Sequence, residues 1–312
     1  MSVFTASLAS ILGLVTLTYG ADVLVRGSSR LAIQLGVSPL LVGLTIVAYG
    51  TSAPELVASV VAAFAGHPDV AVGNVLGSNV ANTGLILGGT AVLAPILVAR
   101  SVLRQELPLM LAATALFGLF ALRLEISRPV GWLFLALLFL FNFLAIRWAR
   151  RESQSGGERD PSRNGSMRAS VALTGIGLVL LLGGAHVLVV GAVDLARAVG
   201  LSDFVIGVTL VAVGTSLPEL ATSFVAGMRK EVDLVVGNIV GSNLFNILGA
   251  LGLAAVVHPI PIDSRLLRFE FPGLVVITVA MAVFLHTGRK VTRFEGFVLL
   301  ALYAAFIVVA VR

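Results

Sequence analysis

Residues 50–55 read GTSAPE and residues 214–219 read GTSLPE, each inside a long apolar run. Proline removes a backbone donor and crowds the preceding turn, while glycine tolerates the bend, so each hexapeptide interrupts a helix and frees carbonyls. One residue beyond each proline stands a glutamate, Glu55 and Glu219. What such a doubled interruption means depends on the solvent around it.

The surroundings are hydrocarbon. With 58% hydrophobic and 12% charged residues in 312, and a mean hydropathy of +1.03, the chain has too little polar surface to cover a water-soluble globule. Stretches of about 20 apolar residues, enough for a ~30 Å hydrocarbon core, fall at 3–25, 38–65, 70–94, 106–122, 130–148, 170–193, 204–227, 232–257, 271–286 and 295–311. These runs are continuous rather than alternating. The expected fold is therefore an all-α membrane protein of ten transmembrane helices, which satisfies every backbone group inside lipid. The first segment lacks the basic n-region of a signal peptide and reads as a span. Zero cysteines exclude disulfides and thiolate metal sites.

Charge gives an orientation. Arg26, Arg30, Arg100, Arg104, the arginines of 147–168, Arg229, Lys230, Arg289, Lys290 and Arg293 make 15 of the 21 Lys and Arg, and all fall on one side of a ten-span chain. The positive-inside rule makes that side cytoplasmic and puts both termini outside. The polar stretch at 151–168, RESQSGGERDPSRNGSMR, is on the cytoplasmic side and reads as a flexible tether between residues 1–150 and 169–312.

Those two parts repeat each other. Setting residue n against n+164 aligns 50–83 with 214–247 without a gap, and 17 of 34 positions are identical, among them Asn74/Asn238, Ser78/Ser242, Asn79/Asn243 and Asn82/Asn246. Five spans separate each motif from its counterpart. Five is odd, so the second five-helix repeat is inverted relative to the first, an arrangement that points to a secondary transporter with broken helices and a site at the midplane.

The polar residues of the repeats suit a hard cation. Ser52 and Glu55 are at i and i+3, and Ser78 and Asn82 at i and i+4, so each pair shares a helical face, as do Ser216 with Glu219 and Ser242 with Asn246. Two carboxylates with hydroxyl, amide and carbonyl oxygens fit Ca²⁺, which takes six to eight oxygens in flexible geometry, better than Mg²⁺. No Cys or His is repeated among them, which disfavours soft metals. Gly73, Gly77, Gly237 and Gly241 have GxxxG spacing and read as packing positions. Asp22, Asp194 and Asp203 fall near expected helix ends and read as solvated, His186 as structural, and His67, His258 and His286 as interfacial. There is neither a Walker lysine motif nor a G-x-S-x-G elbow, so ATP hydrolysis and serine hydrolase chemistry have no support, and no enzyme activity, cofactor, nucleic-acid partner or obligatory protein partner is expected.

The two segments GTSAPELVASVVAAFAGHPDVAVGNVLGSNVANTG and GTSLPELATSFVAGMRKEVDLVVGNIVGSNLFNILG resemble the alpha repeats of the calcium/cation antiporter superfamily, and the compact chain resembles its prokaryotic sodium/calcium exchanger branch. The resemblance implies four cation subsites, with Ca²⁺ held by Glu55 and Glu219 and by main-chain oxygens of Thr51 and Thr215. It maps sodium sites onto Ala48, Ser52, Ser78, Ala212, Ser216 and Ser242, with Asn82 and Asn246 at the centre. Certain relatives carry Asp at the position of Asn246. The resemblance further implies exchange of Ca²⁺ for Na⁺ across a prokaryotic cytoplasmic membrane by alternating access, the long first and sixth helices sliding against the other eight. The alternatives are exchange against H⁺ on the same fold and a cation channel.

Overall fold

The computed structural model describes residues 2–155, 166–200 and 212–311. The described residues are helical nearly throughout. Helix α1 spans Val3–Leu35, α2 Pro39–Thr51, α3 Ala53–Phe64, α4 Pro68–Leu93, α5 Arg100–Ala121 and α6 Arg128–Ser155. Beyond the tether come α7 Met167–Ala198, α8 Ala212–Thr215, α9 Leu217–Met228, α10 Val232–Val257, α11 Leu266–Gly288 and α12 Arg293–Val311. Among the described residues eight helices are long and apolar enough to cross a membrane, or nine if α2 and α3 form one span bent by 46°. Of the expected span at 204–227, residues 204–211 lie outside the described residues, and α8 and α9 are its described part.

Several boundaries differ from the sequence reading. Helix α1 continues to Leu35, 33 residues in all, and α7 has 32, so each is nearly 50 Å long against a ~30 Å hydrocarbon core. Arg26 and Arg30 do not end α1, because long cationic side chains reach the interface from within a helix. Helix α6 runs on through the Arg-rich segment to Ser155, since Arg and Glu are good helix formers, and α7 begins at Met167. The tether expected at 151–168 is therefore helical at both ends, and residues 156–165 lie outside the described residues.

Four two-residue strands were not expected. β1 (Ile96–Leu97) pairs antiparallel with β4 (Lys290–Val291), and β2 (Glu125–Ile126) with β3 (Ile260–Pro261). Each pair joins a segment before the tether to one after it. Prolines at 95, 259 and 261 stop helices here, and the freed backbone groups find partners across the pair.

Burial sorts the helices into a centre and a rim. The most apolar window of α10 is 83% buried and that of α4 72%, against 22% for α6 and 11% for α12. Gly237 and Gly241 of α10 face the backbone of α2 so closely that an added Cβ would lie 2.6 Å from the Leu40 carbonyl and 2.5 Å from that of Leu44. That is the packing role expected of them. Gly73 and Gly77 have no such neighbour among the described residues.

Helices α1 and α7 form a second close contact. A Cβ on Gly13, Gly20 or Gly27 would run into the backbone of Leu188, Leu181 or Thr174, and one on Gly177, Gly184 or Gly191 into Leu24, Leu17 or Ser10. Residue numbers in contact add to 201 throughout, so the helices run antiparallel. Each set of glycines has a spacing of seven, which keeps small residues on one stripe and lets the backbones meet.

Candidate functional site

Both hexapeptides fold alike. Ser52 ends α2 with φ −84° and ψ 9°, and Ser216 ends α8 with φ −88° and ψ 4°, the sparsely populated bridge conformation. Pro54 and Pro218 then lie at the start of α3 and α9, where a missing N–H is no loss. They leave the Gly50 and Gly214 carbonyls without the donor that a continuous helix would supply four residues on. Glu55 and Glu219 fall in the first turn of their helices, where the positive end of the helix dipole favours a carboxylate.

The two breaks meet at the centre of the molecule and exchange hydrogen bonds. Ser52 Oγ donates to Glu219 Oε1 at 2.7 Å, and Ser216 Oγ donates to Glu55 Oε1 at 3.2 Å. Ser216 Oγ is also 3.5 Å from Ser78 Oγ. All five side chains are at most 5% exposed. Behind them, Thr51 Oγ1 donates to Asn238 Oδ1 at 3.2 Å, Asn238 Nδ2 donates to Ser223 Oγ at 3.0 Å, and Asn74 Nδ2 donates to the Glu55 carbonyl at 3.0 Å.

Helices α4 and α10 supply the other walls. Both change from α to π geometry at this level, over Asn82–Leu87 and Phe245–Leu251, the kind of local rewinding that is frequent at functional sites. Asn82 and Asn246 lie at these transitions and are 1% exposed. Seven buried side-chain oxygens of these four helices accept no hydrogen bond, and five of them, Glu55 Oε2, Glu219 Oε2, Asn82 Oδ1, Asn246 Oδ1 and Ser242 Oγ, stand at positions identical in the two halves. Unmatched buried acceptors are costly. Two carboxylates and neutral oxygens form a donor set for a hard, desolvated cation. Among the described residues no cluster of three or more Asp, Glu, His or Cys offers a different metal site.

The structure thus brings Glu55, Ser52, Ser78, Asn82, Glu219, Ser216, Ser242 and Asn246 into the central region. Thr51 is buried there too, and Thr215 lines the cavity beside it. Ala48 is buried, and its carbonyl accepts from Ser52 N at 2.9 Å, with Thr51 Oγ1 3.2 Å away. Ala212 begins α8, and its side chain is outside the described residues. Missed in the sequence were Asn79 and Asn243, which bond directly to the central asparagines. Their identity across the repeat was the available signal.

Two further expectations are corrected. Asp22 does not sit near a helix end: it lies inside α1, where it pairs with Arg26 one turn on and with Arg229, the residue after α9. His186 is exposed and lines a cavity of about 430 Å³ with Pro54, Val57, Val189, Thr215 and Pro218, so it borders the helix breaks. Asp194 lies near the end of α7 and pairs with Arg197, as a helix-end position suggests, and Asp203 is outside the described residues. His67, His258 and His286 are all exposed close to helix ends.

Comparisons with known proteins agree with this geometry. The family described as sodium/calcium exchanger protein matches residues 5–147 and 169–312. The chain is 40% identical over 311 residues to CaxA of Alkalimonas amylolytica, covering 96% of this chain and 97% of the relative. It is 34% identical over 337 residues to the sodium/calcium exchanger MaX1 of Methanosarcina acetivorans, covering 96% of each. A solved structure of the sodium-calcium exchanger NCX_Mj, soaked with 10 mM Na⁺ and no Ca²⁺, superposes with a TM-score of 0.87 at 34% identity, over 98% of this chain and 99% of that one. The chain therefore belongs to the sodium/calcium exchanger family, as a multi-pass membrane transporter and not an enzyme.

Proposed function

We propose that the protein is a secondary antiporter that exchanges Ca²⁺ for Na⁺ across the cytoplasmic membrane of a prokaryote. The observation that carries this reading is the set of five buried, unpartnered oxygens contributed by both halves of the chain. Glu55 and Glu219 neutralise one divalent ion, and the hydroxyls and amides complete its shell. Main-chain oxygens of Thr51 and Thr215 add to the Ca²⁺ site. Ser52, Ser78, Ser216 and Ser242, with carbonyls of Ala48 and Ala212, provide the Na⁺ positions, and Asn82 and Asn246 stand between them.

The architecture in this reading is ten spans in two inverted five-helix repeats, residues 1–150 and 169–312, with motifs 50–83 and 214–247 at the midplane. Matches of the family to 5–147 and again to 169–312 support it, as do the cross-paired strands and the reciprocal serine–glutamate bonds. Both termini are outside and the tether is cytoplasmic, on the strength of the cation asymmetry. Helices α1 and α7, joined along their glycines, move as one unit past the remaining core. The cavity beside His186 gives one route to the site, and the Asp22–Arg229 pair stands at the position on the other long helix that the repeat makes the counterpart of His186.

The test is flux. Purified protein in sealed vesicles loaded with Ca²⁺ is expected to release it when an inward Na⁺ gradient is imposed and not when only a pH gradient is imposed. Release driven by pH alone assigns H⁺ as the counter-ion, and release that needs neither gradient and runs at channel rates overturns antiport.

A further inference from the structure

The central asparagines pose a problem of orientation. A side-chain amide has an oxygen on one arm and an NH₂ on the other, nearly identical in shape, and only the oxygen attracts a cation. At 1% exposure no water is at hand to correct a wrong turn. Both amides in this structure face the same way with respect to the site. Asn82 Nδ2 donates to Asn243 Oδ1 at 3.1 Å, and Asn246 Nδ2 donates to Asn79 Oδ1 at 3.1 Å, while the two oxygens, Asn82 Oδ1 and Asn246 Oδ1, are left without a hydrogen bond.

Asn79 and Asn243 are held in turn by groups across the two halves. Asn79 Nδ2 donates to the main-chain carbonyl of Asn243 at 3.2 Å, and a carbonyl can only accept, so the nitrogen of Asn79 must point there and its oxygen must point at Asn246. Asn243 Nδ2 donates to Thr83 Oγ1 at 3.1 Å and lies 3.7 Å from Met110 Sδ, a second acceptor. Its oxygen is then presented to Asn82. Each central amide is thus set by an asparagine from the opposite half of the chain.

We infer that Asn79 and Asn243 are positioning residues, whose side chains fix the amides of Asn82 and Asn246 with oxygen toward the transported cation and nitrogen away from it. This rests on the reading of the central oxygens as a cation site and goes beyond it by assigning the groups that aim two of them. Outer-shell partners that orient first-shell ligands typically change metal affinity 10- to 100-fold when removed, and a site is only as accurate as the shell that supports it.

Two substitutions of the same shape separate aiming from packing. Asn243→Asp keeps an acceptor for the Asn82 nitrogen, and the Thr83 hydroxyl can turn to donate to the other carboxylate oxygen. Asn243→Leu fills the volume and offers neither group. In Na⁺-driven Ca²⁺ flux by the full-length protein in vesicles, Asn243→Leu is expected to raise the KM for Ca²⁺ by about tenfold or more, with the maximal rate changed far less. Asn243→Asp should stay within about threefold of the unsubstituted protein. Tolerance of Leu with loss on Asp overturns the inference and makes the position a packing contact.

A second comparison covers a Leu variant that does not fold. Asn79→Ala is expected to raise the KM for Ca²⁺ alone and in an Asn82→Ala background, and to add nothing in an Asn246→Ala background, because its effect passes through Asn246. Equal effects in both backgrounds, or none in the single variant, overturn the inference. Absence of cation-driven flux in the unsubstituted protein sinks the antiporter reading itself, whereas normal flux with indifferent variants sinks only the positioning role.

Discussion

The centre of the molecule and its long paired helices treat the internal repeat differently. At the centre the serine–glutamate bonds and the bonds of the central asparagines are mirrored: Ser52 to Glu219 and Ser216 to Glu55, Asn82 to Asn243 and Asn246 to Asn79. Along α1 and α7 the glycines also correspond, Gly13 with Gly177, Gly20 with Gly184 and Gly27 with Gly191, all 164 apart. The polar residues on these helices do not. Asp22 in α1 is paired with Arg229, while its counterpart in α7 is His186, which borders a cavity, and the counterpart of Arg229 is Ala65. Equivalence is kept at the helix breaks, at the central asparagines and along the glycine contact. It is absent where α1 carries an ion pair and α7 borders a cavity.

The largest effect is expected at the centre. Glu55→Gln and Glu219→Gln each leave one carboxylate to face a divalent ion in a medium of low dielectric, where the missing charge is poorly replaced. Ca²⁺ flux in vesicles should fall to background for both, with protein still extractable and folded. Full activity in one of the two would break the equivalence of the halves, and full activity in both would remove the carboxylates from the site.

Next come the glycines of the α1–α7 contact. Gly20→Ala and Gly184→Ala place a methyl against the backbone of the facing helix, which must withdraw. Overpacking of this kind costs about 1–3 kcal/mol. Thermal unfolding in detergent should shift down by similar amounts in the two variants, and transport should drop several-fold. Gly183→Ala is the control, since Gly183 is exposed with nothing near its Cβ position among the described residues, and alanine there should leave both measurements unchanged. A stability loss at Gly183 equal to that at Gly184 would mean that helix propensity, not contact, sets the effect.

Much of the centre was legible in the sequence because duplication marks it: the glutamates, serines and central asparagines are identical at an offset of 164 and carry oxygen chemistry that hydrocarbon penalises. Asn79 and Asn243 were visible only as identities, since a bond such as Asn246 to Asn79 depends on how the halves are docked. The length of α1 was misread because Arg26 and Arg30 look like a boundary, although an arginine side chain extends past a helix end without ending the helix. Asp22 and Arg229 are 207 residues apart, and no local pattern connects them. The glycines at 13, 20 and 27 lay open as a spacing of seven. The GxxxG pattern in α4 and α10 drew the packing argument instead.

The smallest effect tests the asymmetry itself. Asp22 and Arg229 join α1 to the end of α9, at the level that mirrors His186 and its cavity. With the long helices displaced in the opposite sense, access would open beside Asp22, and the bond to Arg229 would have to break. The pair therefore favours the arrangement seen here. Its side chains are 25% and 40% exposed, so solvent screens it and it contributes at most about 1 kcal/mol, or roughly a fivefold bias between two states. Because the chain has no cysteine, a single Val189→Cys in the cavity wall reports access cleanly. A membrane-impermeant maleimide added on the outer face should label it up to about fivefold more slowly once Arg229→Gln is introduced. Arg26→Gln should have less effect, since it leaves the Arg229 bond in place. High salt should narrow the difference between Arg229 and Gln, as expected of a partly exposed pair. An unchanged labelling rate in Arg229→Gln would show that the pair survives in both arrangements, and the contrast between Asp22 and His186 would then reflect no difference in access between the two faces.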